Sequence, residues 1–281
     1  MQASIRPTRI AMSLYHYTDA QGLMGIIQNK ALWATDMGFL NDSKEMFAGI
    51  SLIQRRCAEI LASTSQSKDA VVMATKGLYE FMPKFVWDNL TMRDVYIVSF
   101  SRAYDNLRQW MAYCPKNAGY AIEFDEAKIL PSEGIDRKKT VVCRLEKVDY
   151  DEEHLDNIIS IEAITKKIER RTTSVEDTSV EIVNDLIFHC CAIKSAQFYD
   201  ERETRLVIQS QLEKQQKVSF RSRAGLVIPY FEYPIDLSWI KEITIGPNVN
   251  MSLARKGLET FLRVHEVDCN VRESACSLRV F

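Results

Sequence analysis

The sequence predicts an α+β fold, and three observations point to it. Short β-rich runs stand toward both ends of the chain, among them LYHYT, VYIVSFS, ETRLVI and EITIG. Two long stretches with helical patterning, about 44–88 and 151–194, lie between them. The two kinds of segment do not alternate regularly, as the βαβ units of a doubly wound sheet would. No Gly/Ser/Pro linker and no repeat divides the 281 residues, so one domain over 1–281 is expected, with helical insertions at about 44–90 and 151–194.

The elements follow in order. Residues 13–17 read as a strand and 19–29 as a short helix, with Leu23, Ile26 and Ile27 on its apolar face. Asp19 caps that helix, because its carboxylate can accept the free amides of the first turn. ALWAT (31–35) is a second strand. In LNDSKE, Asn41, Asp42 and Ser43 supply cap oxygens and Glu45 sits near the positive end of the helix dipole. Helices are expected over 44–62 and 68–88, then a buried strand over 95–101 and a helical turn or two over 105–113. GYAIEFD (119–125) and 140–150 are strands, and 151–171 and 176–194 are helices. Segments 203–209, 217–221 and 225–231 form a late antiparallel group. A strand at 242–246, a helix near 251–263 and strands near 266–271 and 277–281 close the chain.

Composition narrows the function classes. With 46% hydrophobic residues, ten glycines and seven prolines, the chain is globular. No apolar run reaches the roughly 18 residues of a membrane span. The basic start MQASIRPTRIAM lacks the apolar centre of a secretory signal. The seven cysteines have no C-x-x-C spacing, so a cytoplasmic protein with reduced thiols and no metal is expected. No G-x-G-x-x-G, G-x-x-x-x-G-K or G-x-S-x-G occurs, which removes support for Rossmann, P-loop and α/β-hydrolase chemistry. The formal charge of −2 leaves no global basic footprint for nucleic acid. Local basic clusters remain at 137–139, 166–171 and 221–223. Each is a solvated face by default, but clustered cations can also neutralise a phosphate-rich partner.

Three segments concentrate residues suited to chemistry: 13–45, 98–125 and 194–208. In the last, Glu201, Glu203 and Arg205 alternate, so on a strand they project to one face. The apolar residues Leu206, Val207 and Ile208 that follow make that strand interior, and charges entering a core strand need a reason. His16, Trp33, Trp110 and Tyr113 each read as core residues when taken alone.

Taken together these segments resemble the bacterial domain-of-unknown-function family 2971, in order across almost the whole chain. A more distant similarity is to the histidine–aromatic–glutamate layout of ADP-ribosyltransferases: a strand histidine followed by Thr18, then a helix, a short strand and a much later strand glutamate. That resemblance implies a split antiparallel β-sheet core with inserted helices. It implies NAD as substrate, held by His16 with Tyr17 and Thr18, and Glu203 as the catalytic carboxylate, with Glu201 as the alternative. Trp33, Trp110, Tyr113 and Tyr17 compete for the wall against nicotinamide, and Arg102, Arg108 and Arg205 for charge roles.

The chemistry suits these residue types. Cleavage of the nicotinamide–ribose bond develops an oxocarbenium-like centre. A nearby carboxylate stabilises that charge most in the transition state. Arg205 would keep Glu203 ionised, while Arg102 or Arg108 could grip a pyrophosphate through a planar fork. The resemblance thus implies transfer of ADP-ribose to a macromolecule, protein or RNA or DNA, as a bacterial toxin or anti-phage effector with a neutralising antitoxin partner. An NAD glycohydrolase, with water as acceptor, and a non-catalytic interaction protein are the alternatives.

Overall fold

A computed structural model gives the fold. It describes residues 12–40, 54–62, 94–114, 118–130, 141–151, 188–210, 218–223 and 225–276, with single positions elsewhere between 51 and 80 and at 166. In chain order the elements are β1 (Ser13–Thr18), α1 (Ala20–Asn29), β2 (Ala31–Asp36), β3 (Asp94–Ser101), α2 (Leu107–Tyr113), β4 (Tyr120–Asp125), β5 (Val141–Lys147), β6 (Glu203–Ser210), β7 (Val218–Arg223), β8 (Leu226–Pro234), β9 (Ile240–Ile245), α3 (Met251–Val264) and β10 (Asn270–Glu273). The protein is a mixed α/β chain. Two compact units divide it: Met1–Leu32, Phe100–Gly134 and Pro234–Phe281 form the first, and Trp33–Ser99 with Ile135–Tyr233 the second.

In the first unit the strands run β10-β9-β4-β1. β1 and β4 pair antiparallel over their full length, from Ser13↔Asp125 to Thr18↔Tyr120, and Tyr15 meets Ser101 at the end of β3. The sheet is mixed, because β10 lies parallel to β9. Two parallel neighbours need a crossover, and α3 supplies it, packing on both strands with Leu258 and Leu262 buried. The helix after β1 begins where the sequence places its cap: Asp19 Oδ1 accepts the Gly22 amide at 2.7 Å. Gly22 is required there, since a Cβ would collide with the Thr18 hydroxyl. Leu23, Ile26 and Ile27 are buried, as their spacing requires.

In the second unit β2 pairs antiparallel with β3, through Thr35↔Ile97 and Asp36↔Tyr96. β6 lies between β3 and β5, and its register with β5 runs antiparallel from Val141↔Ser210 to Lys147↔Thr204. β8 follows β2 and pairs antiparallel with β7. The late antiparallel group expected from the sequence therefore splits. β6 leaves β7 and β8 for β5 and β3, and its composition explains why. Leu206, Val207 and Ile208 are each 0% exposed, so both faces of β6 are covered, and a strand apolar on both faces belongs in a sheet interior.

Several expectations fall on other residues. The helices over 68–88, 151–171 and 176–194, the cap at Asn41–Ser43, the strand at 277–281 and the basic clusters at 137–139 and 166–171 lie wholly or mostly outside the described residues. Residues 54–62, within the first expected helix, are helical. Among the described residues no helix is long and apolar enough to cross a membrane.

Candidate active site

Charged residues ahead of β6 and at its start form a buried network in the second unit. Residues 196–201 make a 3₁₀ turn that ends at Glu201. Arg202 then takes φ of 43°, a left-handed conformation costly for a residue with a Cβ, and Glu203 opens β6. The single strand face expected for Glu201, Glu203 and Arg205 is thus interrupted at Arg202, so only Glu203 and Arg205 keep the alternation. The two carboxylates still meet, through a residue the sequence reading missed. Lys194 Nζ donates to Glu201 Oε2 at 2.8 Å and to Glu203 Oε2 at 3.2 Å.

Arg205 completes the network. Its Nε donates to Glu203 Oε1 at 2.8 Å, its Nη2 to Oε2 at 3.0 Å, and its Nη1 to the Cys191 carbonyl at 2.8 Å. Lys194, Glu201, Glu203 and Arg205 are each no more than 4% exposed. Burial opposes the charge on Glu203. Arg205 outweighs it, with help from Lys194 and a Ser99 hydrogen bond, and holds the carboxyl below its ordinary value of 4.5. The Glu203 amide donates to the Tyr150 hydroxyl at 2.9 Å. Tyr150 in turn meets the exposed Tyr199 edge-on, with ring centroids 5.5 Å apart. Burial pushes the Tyr150 phenol up to about 12, so it stays neutral.

Trp33 also belongs to the second unit. It is half-buried on β2, its ring lies 5.0 Å from that of Tyr230, and the Arg221 guanidinium stands 5.8 Å from it. Its indole nitrogen is buried without a hydrogen-bond partner.

The remaining candidates sit in the first unit, around β1. His16 is half-buried, with its ring 5.9 Å from Phe100 and edge-on to it. Tyr17 is buried, accepts the Asn106 amide and donates to the Ala103 carbonyl, both at 3.0 Å. Its ring meets Trp110 at 4.7 Å. Trp110 is 0% exposed and its indole N–H donates to Asp105 Oδ1 at 2.8 Å, so it has no ring face open to a ligand. Tyr113 packs against the same cluster. Thr18 contributes its carbonyl to the Cys114 thiol. Arg102 has its fork engaged by Glu126, at 2.9 Å and 2.5 Å, rather than standing ready for a pyrophosphate. Arg108 follows the Asn106 cap of α2 and is half-buried. The structure thus sorts the candidates by unit, with His16, Tyr17, Thr18, Arg102, Trp110 and Tyr113 in one and Trp33, Glu201, Glu203 and Arg205 in the other.

The sequence carries one signal for Lys194. A lysine seven residues ahead of the first of two glutamates, in a stretch leading to an apolar strand, has few places to put its charge except on them. Among the described residues no group of three or more His, Cys, Asp or Glu could hold a metal ion.

Residues 109–206 match the family model described as "Protein of unknown function (DUF2971)". That span begins just before Trp110, ends just after Arg205 and leaves out His16. No curated protein and no solved structure matches the chain.

Proposed function

We propose that the chain is an NAD-dependent ADP-ribosyltransferase with Glu203 as the carboxylate that acts at the ribose. This reading takes the mixed sheet as a variant of the split-sheet ADP-ribosyltransferase core. One observation carries it: two carboxylates, Glu201 and Glu203, are drawn into the chain interior and held there by two cations. Burying such a set costs several kcal/mol per ion before pairing returns any of it. Apolar residues of the same volume would often serve stability as well. Backbone strain at Arg202, directly between the two acids, is the second support, since residues in such conformations gather at functional sites.

The chemistry follows from the geometry of Glu203. Its carboxylate has about four lone-pair positions, taken by Arg205, Lys194 and Ser99. A ribose hydroxyl would replace the Ser99 hydroxyl, a like-for-like exchange that leaves both cations in place. The anion then stabilises the positive charge that grows on the sugar as nicotinamide leaves. In this reading the acceptor is a protein or a nucleic acid.

A second reading is favoured by the near-complete burial of Glu203: the network is a clamp that pins the 188–203 segment to β6, and the protein is a non-catalytic interaction module. Incubating the purified protein with NAD separates the two. The enzyme releases nicotinamide, and label in the ADP-ribose half appears on protein, on nucleic acid or, for a glycohydrolase, free in solution. The clamp releases none.

A further inference from the structure

We propose that Lys194 is the positioning residue of this site: its ammonium group bridges the Glu201 and Glu203 carboxylates, holds the acting acid in place and so sets the lower pH limit of activity. The proposal rests on the reading of Glu203 as the acting carboxylate, but its structural half can be tested without any activity.

The placement of Lys194 argues for the role. Asp149, just after β5, pins the backbone of this segment: the Lys194 amide donates to the Asp149 carbonyl at 2.9 Å, and the Asp149 amide to the Ala192 carbonyl at 2.7 Å. The Phe198 ring lies 4.6 Å from its ammonium, so the charged end is held over an aromatic face. It is 2% exposed and touches both carboxylates. A lysine ordered by its surroundings loses little further freedom when it binds two acids.

The charge count gives the consequence. Two carboxylates face two cations, Lys194 and Arg205. Among the described residues the other titratable groups beside them are Tyr150, the Cys191 thiol and, on β5, the half-buried Glu146, whose register partner is Arg205 and whose carboxylate is common to every variant compared below. Burial pushes the Cys191 thiol up to about 12, so like Tyr150 it adds no charge. Without Lys194, two anions share one buried space with one guanidinium. Like charges in one buried space oppose each other's ionisation, so one carboxyl takes up a proton at a higher pH than in the wild type.

The test uses Lys194→Met, Glu201→Gln, Lys194→Arg and the double variant Lys194→Met/Glu201→Gln, which removes the anion that loss of Lys194 leaves unpaired. In Lys194→Met the acid limb of nicotinamide release moves up by about 1–3 pH units. In Lys194→Arg it stays near the wild-type position, and in the double variant it returns toward it. The independent readout is unfolding against pH. In Lys194→Met one folded-state carboxyl is raised above its unfolded value. Its contribution is therefore fully present at low pH and lost as pH rises through the raised value, the opposite slope to wild type. Should Lys194→Met fail to fold at neutral pH, the double variant is expected to fold, because it removes the unpaired anion. A wild-type-like pH slope in Lys194→Met, or a double variant no more stable than the sum of its single changes predicts, overturns the proposal. Absence of nicotinamide release from the wild type sinks the enzyme reading alone, while the unfolding profiles still decide the role of Lys194.

Discussion

Replacing Arg205 by methionine is expected to lower the unfolding free energy by about 3–5 kcal/mol, the range found when one partner of a buried ion pair is removed. The guanidinium makes two hydrogen bonds to Glu203 and one to the Cys191 carbonyl, all at 2.8–3.0 Å. Methionine fills much of the volume and leaves those acceptors without it. The effect depends on pH in a definite direction. Glu203 has a lowered folded-state pKa, opposed by burial and driven by Arg205. Its contribution is therefore present above the ordinary carboxylate value of 4.5 and lost as pH falls through the lowered folded value. Urea unfolding at neutral pH and again near pH 4 should show the gap between wild type and Arg205→Met narrowing in acid. A loss below about 1 kcal/mol at neutral pH would mean that the pair behaves like a surface salt bridge.

Trp110→Ala is expected to cost about 3–5 kcal/mol, as large buried aromatics do when truncated. The slot for this ring is cut to shape. A Cβ on Gly246 would stand 2.8 Å from the indole, and one on Gly119 would stand 2.3 Å from the Cys114 sulfur, so neither glycine can carry a side chain without displacing its neighbour. Trp110 also donates to Asp105, which accepts from Ser274 and from the Ala275 amide. Burial opposes the Asp105 charge, but the hydrogen bonds from Ser274, Trp110 and Ala275 overcome it and hold its carboxyl below the ordinary value. Losing the indole removes one of those donors and empties the slot. Thermal unfolding reads the loss, and earlier proteolysis around 274–276 should accompany it. A stacking role against nicotinamide would give the reverse pattern, with unchanged stability and a raised KM for NAD.

Legibility in the sequence followed local physics. The Asp19 cap, the apolar face of α1 and the run Leu206–Ile208 are set by periodicity and by backbone groups a few residues apart, so they can be read directly. The pairing of β6 with β5 and β3 depends on strands far away in the chain, and alternation along β6 says nothing about which neighbour it takes. The break at Arg202 was hidden for a related reason: no glycine or proline announces the positive φ, and tertiary contacts impose it. Within the candidate site, the acids and Arg205 were visible as charges leading into an apolar strand. Lys194 was not, because its link to them is made in space, across a 3₁₀ turn. The aromatic candidates divided on burial, which residue type alone does not fix: Trp110 is sealed, whereas Trp33 is half-buried.

The most direct test of the central claim is nicotinamide release by Glu203→Gln compared with wild type, at a temperature where circular dichroism shows both to be folded. The amide keeps the size of the side chain and removes the anion the reaction needs. The expected result is a loss of about 10²–10⁴-fold in kcat, the span typical of a positioned acid or base, with label transfer falling in step. A folded Glu203→Gln protein that releases nicotinamide at the wild-type rate would contradict the account, leaving the buried ions as a clamp.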